Sequence, residues 1–174
     1  SKADFVRLAE QLEKEYRSTG SPQLLFKCCE MCVRTDDWKF ISEHATDLVE
    51  KVRTDAALRL ALHATFTHGD YELCLNLLRQ HSAVLLGGQL SPDIRTLRAE
   101  CQQRMGYWQE AIAEAEALHR ERPSLERFAE YFRLLLVTAD VPRCALAARE
   151  LLEMPDAGPD LLLQAARVTR LQDQ

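Results

Sequence analysis

The stretch Leu97-Arg98-Ala99-Glu100-Cys101-Gln102-Gln103-Arg104-Met105-Gly106-Tyr107-Trp108-Gln109-Glu110-Ala111-Ile112-Ala113-Glu114-Ala115-Glu116-Ala117-Leu118-His119-Arg120-Glu121-Arg122-Pro123 holds two helix-forming runs separated by one glycine. Leu97 to Met105 reads as a first helix. Gly106 stops it, because glycine takes the left-handed backbone that closes a helix at no steric cost. Trp108 to Arg122 reads as a second helix, ended by Pro123, which lacks the amide proton that the next turn would need. Ala111, Ala115 and Leu118 recur at helical spacing and line one face. Glu110, Glu114 and Glu116 then fall on what reads as the solvated side.

Working outward, the same punctuation recurs. Asp36-Asp37-Trp38-Lys39-Phe40-Ile41, Gly69-Asp70-Tyr71-Glu72-Leu73-Cys74, Gly106-Tyr107-Trp108-Gln109-Glu110-Ala111 and Asp140-Val141-Pro142-Arg143-Cys144-Ala145 start 33, 37 and 34 residues apart. Each pattern sets a small or acidic turn ahead of a helical apolar stripe, as a turn inside a helix–turn–helix unit does. The composition agrees with helix: 28 leucines stand against 11 valines and isoleucines together, and β-branched residues lose rotamer freedom in a helix. The 6 glycines and 6 prolines fall between periodic segments, so an all-α fold is expected.

These units resemble the tetratricopeptide repeat family, whose 34-residue helical pairs carry small residues where two helices cross. Gly106, Trp108, Ala111, Leu118 and Pro123 match that pattern in the third unit. The first unit offers Leu25, Cys28, Cys29, Trp38, Ile41 and Leu48; the second offers Leu58, Ala61, Gly69, Tyr71, Cys74 and Leu78. The fourth keeps Asp140, Ala145 and Leu152 but has Pro142 where an aromatic is expected. The second unit runs three residues long through Val84-Leu85-Leu86-Gly87-Gly88. The resemblance implies a right-handed α-solenoid of about four units over residues 22–155. A helix within 1–20, with Phe5, Leu8, Leu12 and Tyr16 on one stripe, and another within 158–174 flank them. All of 1–174 is expected to form one domain, a fragment of a longer protein.

With 47% apolar and 28% charged residues the chain can bury a core and is not composed like a disordered polymer. Its net charge of −5 argues against nucleic acid, whose binders gain affinity by displacing counterions with basic groups. No apolar run reaches the roughly 18 residues of a membrane span, and the polar start is no signal peptide. A cytoplasmic protein with no membrane partner is expected.

The six cysteines read as reduced thiols. Cys28, Cys29 and Cys32 share one helical segment, and Cys29-x-x-Cys32 has a spacing used in zinc and redox sites. No second pair of cysteines or histidines completes four ligands, so packing is the favoured reading and a metal or redox protein the lesser alternative. Cys74 falls on the small crossover position that Ala111 and Ala145 fill later. No metal or cofactor is expected. A phosphate loop is absent, since Gly87-Gly88 is not followed by Lys-Ser or Lys-Thr. No nucleophile signature or opposed carboxylate pair suggests catalysis, and a non-enzymatic role is expected.

What remains is the concave surface that stacked repeats produce. The resemblance carries over Phe26, Glu30, Val33 and Arg34; Arg59, His63, Phe66 and Thr67; Thr96, Glu100, Gln103 and Arg104; and Arg127, Glu130, Leu134 and Val137. Phe26, Val33, Phe66 and Leu134 would be apolar anchors for a protein or peptide, and Arg34, Arg59 and Arg104 could fork onto its carboxylates. His63 would sit beside them on the inner face. The competing reading is a structural, oligomerising or regulatory arm of a larger protein, with the exposed terminal helices making a homodimer.

Overall fold

Leucine-rich, glycine-punctuated segments fold as the composition demands: the computed structural model, which describes residues Ser1–Gln172, contains eleven helices and no strand among them. They fall into two compact units. The first, Ser1–Ser91, holds α1 (Lys2–Thr19), α2 (Pro22–Thr35), α3 (Trp38–Glu43), α4 (Ala45–Val52), α5 (Asp55–His68) and α6 (Tyr71–Leu85). The second, from Pro92 onward, holds α7 (Pro92–Arg104), α8 (Trp108–Glu121), α9 (Leu125–Thr138), α10 (Val141–Leu152) and α11 (Pro159–Gln172). Among the described residues no helix is long and apolar enough to cross a membrane.

The recurrence seen in the letters is sharper in the backbone. Asp36, Gly69, Gly106 and Ala139 all take left-handed torsions, with φ of 60°, 95°, 77° and 52°. The residue after each, Asp37, Asp70, Tyr107 and Asp140, is the N-cap of the next helix, with φ between −84° and −75° and ψ between 60° and 81°. Asp37 and Asp140 accept the amide protons of Phe40 and Arg143 on their carboxylates, answering donors that the first helical turn leaves free. One correction follows. The fourth turn is centred on Ala139, so the sequence frame that started that unit at Asp140 is one residue late. Val141 rather than Pro142 stands where Trp38, Tyr71 and Trp108 stand.

Two boundaries also differ from expectation. The third pair begins at Pro92 instead of Leu97, because proline suits the first helical turn, where its missing donor is not needed. The helix after Trp38 breaks at His44. There the ring stacks on Phe40 at 4.2 Å and brings Nδ1 to 2.9 Å from the Phe40 carbonyl, competing with the backbone before helix resumes at Ala45.

In the first unit Leu25, Cys28, Ile41, Leu48, Leu58 and Cys74 are fully buried, and α5 packs on α3, α4 and α6. The Cys74 thiol donates to the Leu62 carbonyl at 3.6 Å; in the corrected frame its counterparts are Ala111 and Cys144 rather than Ala145, and all are buried. In the second unit Phe128 and Phe132 centre a core shared with Ile112, Leu134, Leu135, Ala148, Leu151 and Ala165. Burial of each phenylalanine contributes about 1.5–3 kcal/mol. Leu134 is therefore not a groove anchor: it is wholly buried in this core, because α9 is packed by both α8 and α10 and so buries more than the one face that carries Phe128 and Leu135.

A second correction concerns Glu114. It is 9% exposed rather than solvated, and it receives Arg95 Nε at 2.5 Å and Arg98 Nη2, two guanidinium groups from α7. Arg95 reaches on to Glu121. A buried carboxylate demands such partners, and two arginines one helical turn apart supply them.

Candidate functional site

Counting back from each left-handed residue gives the site its frame. Ten residues earlier stand Phe26, Arg59, Thr96 and Ala129; six earlier, Glu30, His63, Glu100 and Arg133; three earlier, Val33, Phe66, Gln103 and Leu136; two earlier, Arg34, Thr67, Arg104 and Val137. In the second unit Thr96, Glu100, Gln103, Arg104, Ala129 and Arg133 from these rows line one concavity of about 850 Å³. Ala99, Ala115, Leu118 and Leu161 supply its apolar walls, while Glu126, Arg127, Glu130 and Gln164 complete its lining.

Three side chains join α7 to α9 across this space. Arg133 forks onto Glu130 with contacts of 2.9 and 2.8 Å and also donates to Gln103 Oε1 at 2.6 Å. The Gln103 amide donates back to Glu130 at 3.0 Å. The hydrogen bond from Arg133, with that from Gln103, holds the Glu130 carboxyl below its ordinary range despite partial burial. Arg127 is committed elsewhere: its Nη1 donates to the carbonyls of Leu118 and Arg122 at 3.0 and 3.2 Å, closing the end of α8. The concavity thus has small, apolar walls and a rim carrying both signs of charge.

Of the inner-face residues carried over from sequence, Thr96, Glu100, Gln103, Arg104, Arg127 and Glu130 line this concavity, and Arg104 is the one among them expected to clamp a partner's carboxylate. Arg59, His63 and Phe66 occur at helical spacing on α5 of the first unit. Arg59 is exposed and spans to Asp55 at 2.6 Å; His63 is exposed, with its ring edge-on to Trp38 at 4.9 Å. Phe66 is half-buried against Tyr71, ring centroids 5.8 Å apart. On α2, Phe26 is half-buried and Arg34 exposed. Arg133, Ala129 and Leu161 were missed. The one-residue slip in the fourth unit hid the first two: the right frame replaces Leu134 by Arg133 and Glu130 by Ala129. Leu161 belongs to the flanking helix, which a four-unit frame leaves out.

The cysteine cluster is buried. None of the six cysteines is in a disulfide, and their relative exposures are 4% or less. Burial pushes the Cys29 thiol up to about 12, so it stays protonated and a poor nucleophile. Among the described residues no group of three or more His, Cys, Asp or Glu side chains is placed to hold a metal ion.

No family model matches this chain, and a search of curated proteins finds no match either.

Proposed function

We propose that the chain is a non-enzymatic interaction module, a right-handed α-solenoid of tetratricopeptide-like helical pairs, whose second unit holds a segment of a partner protein between α7 and α9. One observation carries this reading: side chains at matching offsets in two successive helical pairs converge on a single concavity, which is how stacked repeats build a binding surface. Its alanine walls permit close approach of a peptide, and its mixed rim suits a segment with both acidic and basic side chains. Selection of a displayed peptide library against the protein tests it. Enriched peptides should bind the wild type and lose at least about tenfold on Arg133→Glu with Gln103→Ala, with helicity unchanged. Retention of the same peptides by that variant would exclude this concavity. Arg59→Glu with Phe66→Ala is the companion variant, and loss there as well would give α5 of the first unit a binding role of its own.

A second reading has its own observation. Leu163, on α11, is 53% exposed, whereas Leu161 and Leu162 are partly covered. Self-association through the terminal helix would cover that side chain. Light scattering at rising concentration checks this. A dimer abolished by Leu163→Gln would support it, and a monomer throughout would remove it.

A further inference from the structure

Helix α1 lies at one edge of its unit and keeps most of its surface open. Tyr16 is the one buried side chain of its 18 residues, while Phe5, Val6 and Leu8 remain 37%, 40% and 42% exposed. It lies on α2 and covers Cys28, whose thiol donates to the Ala9 carbonyl at 3.4 Å. Its far end is fastened to α4 by a small polar latch. The Tyr16 hydroxyl donates to Asp47 at 3.2 Å, and Lys51 donates to the same hydroxyl at 3.0 Å and to Asp47 at 2.8 Å.

We propose that α1 is a displaceable strap over a buried thiol pair, so that release of the Tyr16 latch exposes Cys28 and modification of Cys28 in turn holds the strap open. An element with one buried anchor belongs to the low end of the local stability range and opens without the rest of the unit. Beneath it the Cys32 thiol beside Cys28 favours the charged form of Cys28, while the neutral Cys28 thiol hydrogen-bonds to the α1 backbone at the Ala9 carbonyl. Alkylating that sulfur removes the donor to Ala9 and adds bulk where the helix rests. Because opening exposes the sulfur and modification disfavours closing, the two events are linked in both directions. Cys74, Cys101 and Cys144 are as buried but lie elsewhere in the chain, and they serve as internal controls.

The test is maleimide labelling of the native protein, read cysteine by cysteine by peptide fragmentation. The sulfur adds to the maleimide double bond and the thiol proton ends on the adjacent carbon. Tyr16→Phe and Asp47→Asn each weaken the latch while leaving the buried ring in place. Labelling of Cys28 should rise at least about tenfold in both, with the three control cysteines unchanged. In the reciprocal measurement, protein labelled at Cys28 should exchange its α1 amide protons faster, while those of α8 keep their rates. A parallel rise at all cysteines would mean global unfolding and overturn the proposal, as would unchanged Cys28 labelling in both variants or unchanged α1 exchange after labelling.

Discussion

At the scale of single residues, Glu114 shows what periodicity can misjudge. Glu110, Glu114 and Glu116 look alike along α8, yet Glu114 is buried and held by two arginines while Glu110 is exposed. Helical spacing gave the face. The arginines that line up with it belong to α7, and a tertiary pairing has no signature in a single helix. Removing one charge from such a cluster leaves its partners buried and unanswered. Glu114→Gln should therefore lower unfolding free energy by about 3 kcal/mol in urea denaturation. Glu110→Gln should stay within about 0.5 kcal/mol. Glu130 gives a pH test. Its carboxyl is held below the ordinary 4.5, so its ionised contacts stabilise the fold fully above that value and are lost as pH falls through the lowered one. The stability gap between wild type and Glu130→Gln should be constant at neutral pH and close only in more acid solution, as followed by urea midpoints across a pH series.

At the scale of elements, the turns were the most legible part and also the source of the main error. Gly69 and Gly106 announce left-handed closures because glycine does so readily, and the helices on either side followed. Ala139 adopts the same torsion at φ 52° with a side chain that resists it, so nothing in the sequence marked it as the turn centre. The frame consequently slid to Asp140, the acidic residue beside it. That slip put Leu134 on a surface it does not occupy and concealed Arg133. If Ala139 carries this cost, Ala139→Gly should stabilise the protein by about 0.5–1 kcal/mol. Gly106→Ala, the mirror change at the third turn, should destabilise by about 1 kcal/mol. Thermal unfolding of the two variants in parallel checks both signs.

At the scale of the whole molecule, an all-helical chain was readable from leucine content and punctuation, and eleven helices without strands are found among the described residues. The division into two compact units was not, since the seam at Ser91 falls in a Ser-Pro step that resembles the other helix starts. Burial of the cysteines was legible, because they fall on the packed faces of their helices. All six should be nearly silent to a thiol colorimetric reagent in native protein and fully reactive in concentrated guanidinium; prompt reaction of several in buffer would contradict the observed packing.

The four left-handed junctions, Asp36, Gly69, Gly106 and Ala139, are written with three residue types yet share one backbone region and one conformation at the following cap. They behave like synonymous codons: the backbone message survives while the spelling drifts. Any crossover in the gene that joins one junction to another would splice matching geometry to matching geometry. Such a chain could gain or lose a helical pair in one step, with no new turn to invent, and kinship of this sort would fade from residue identity long before it faded from shape.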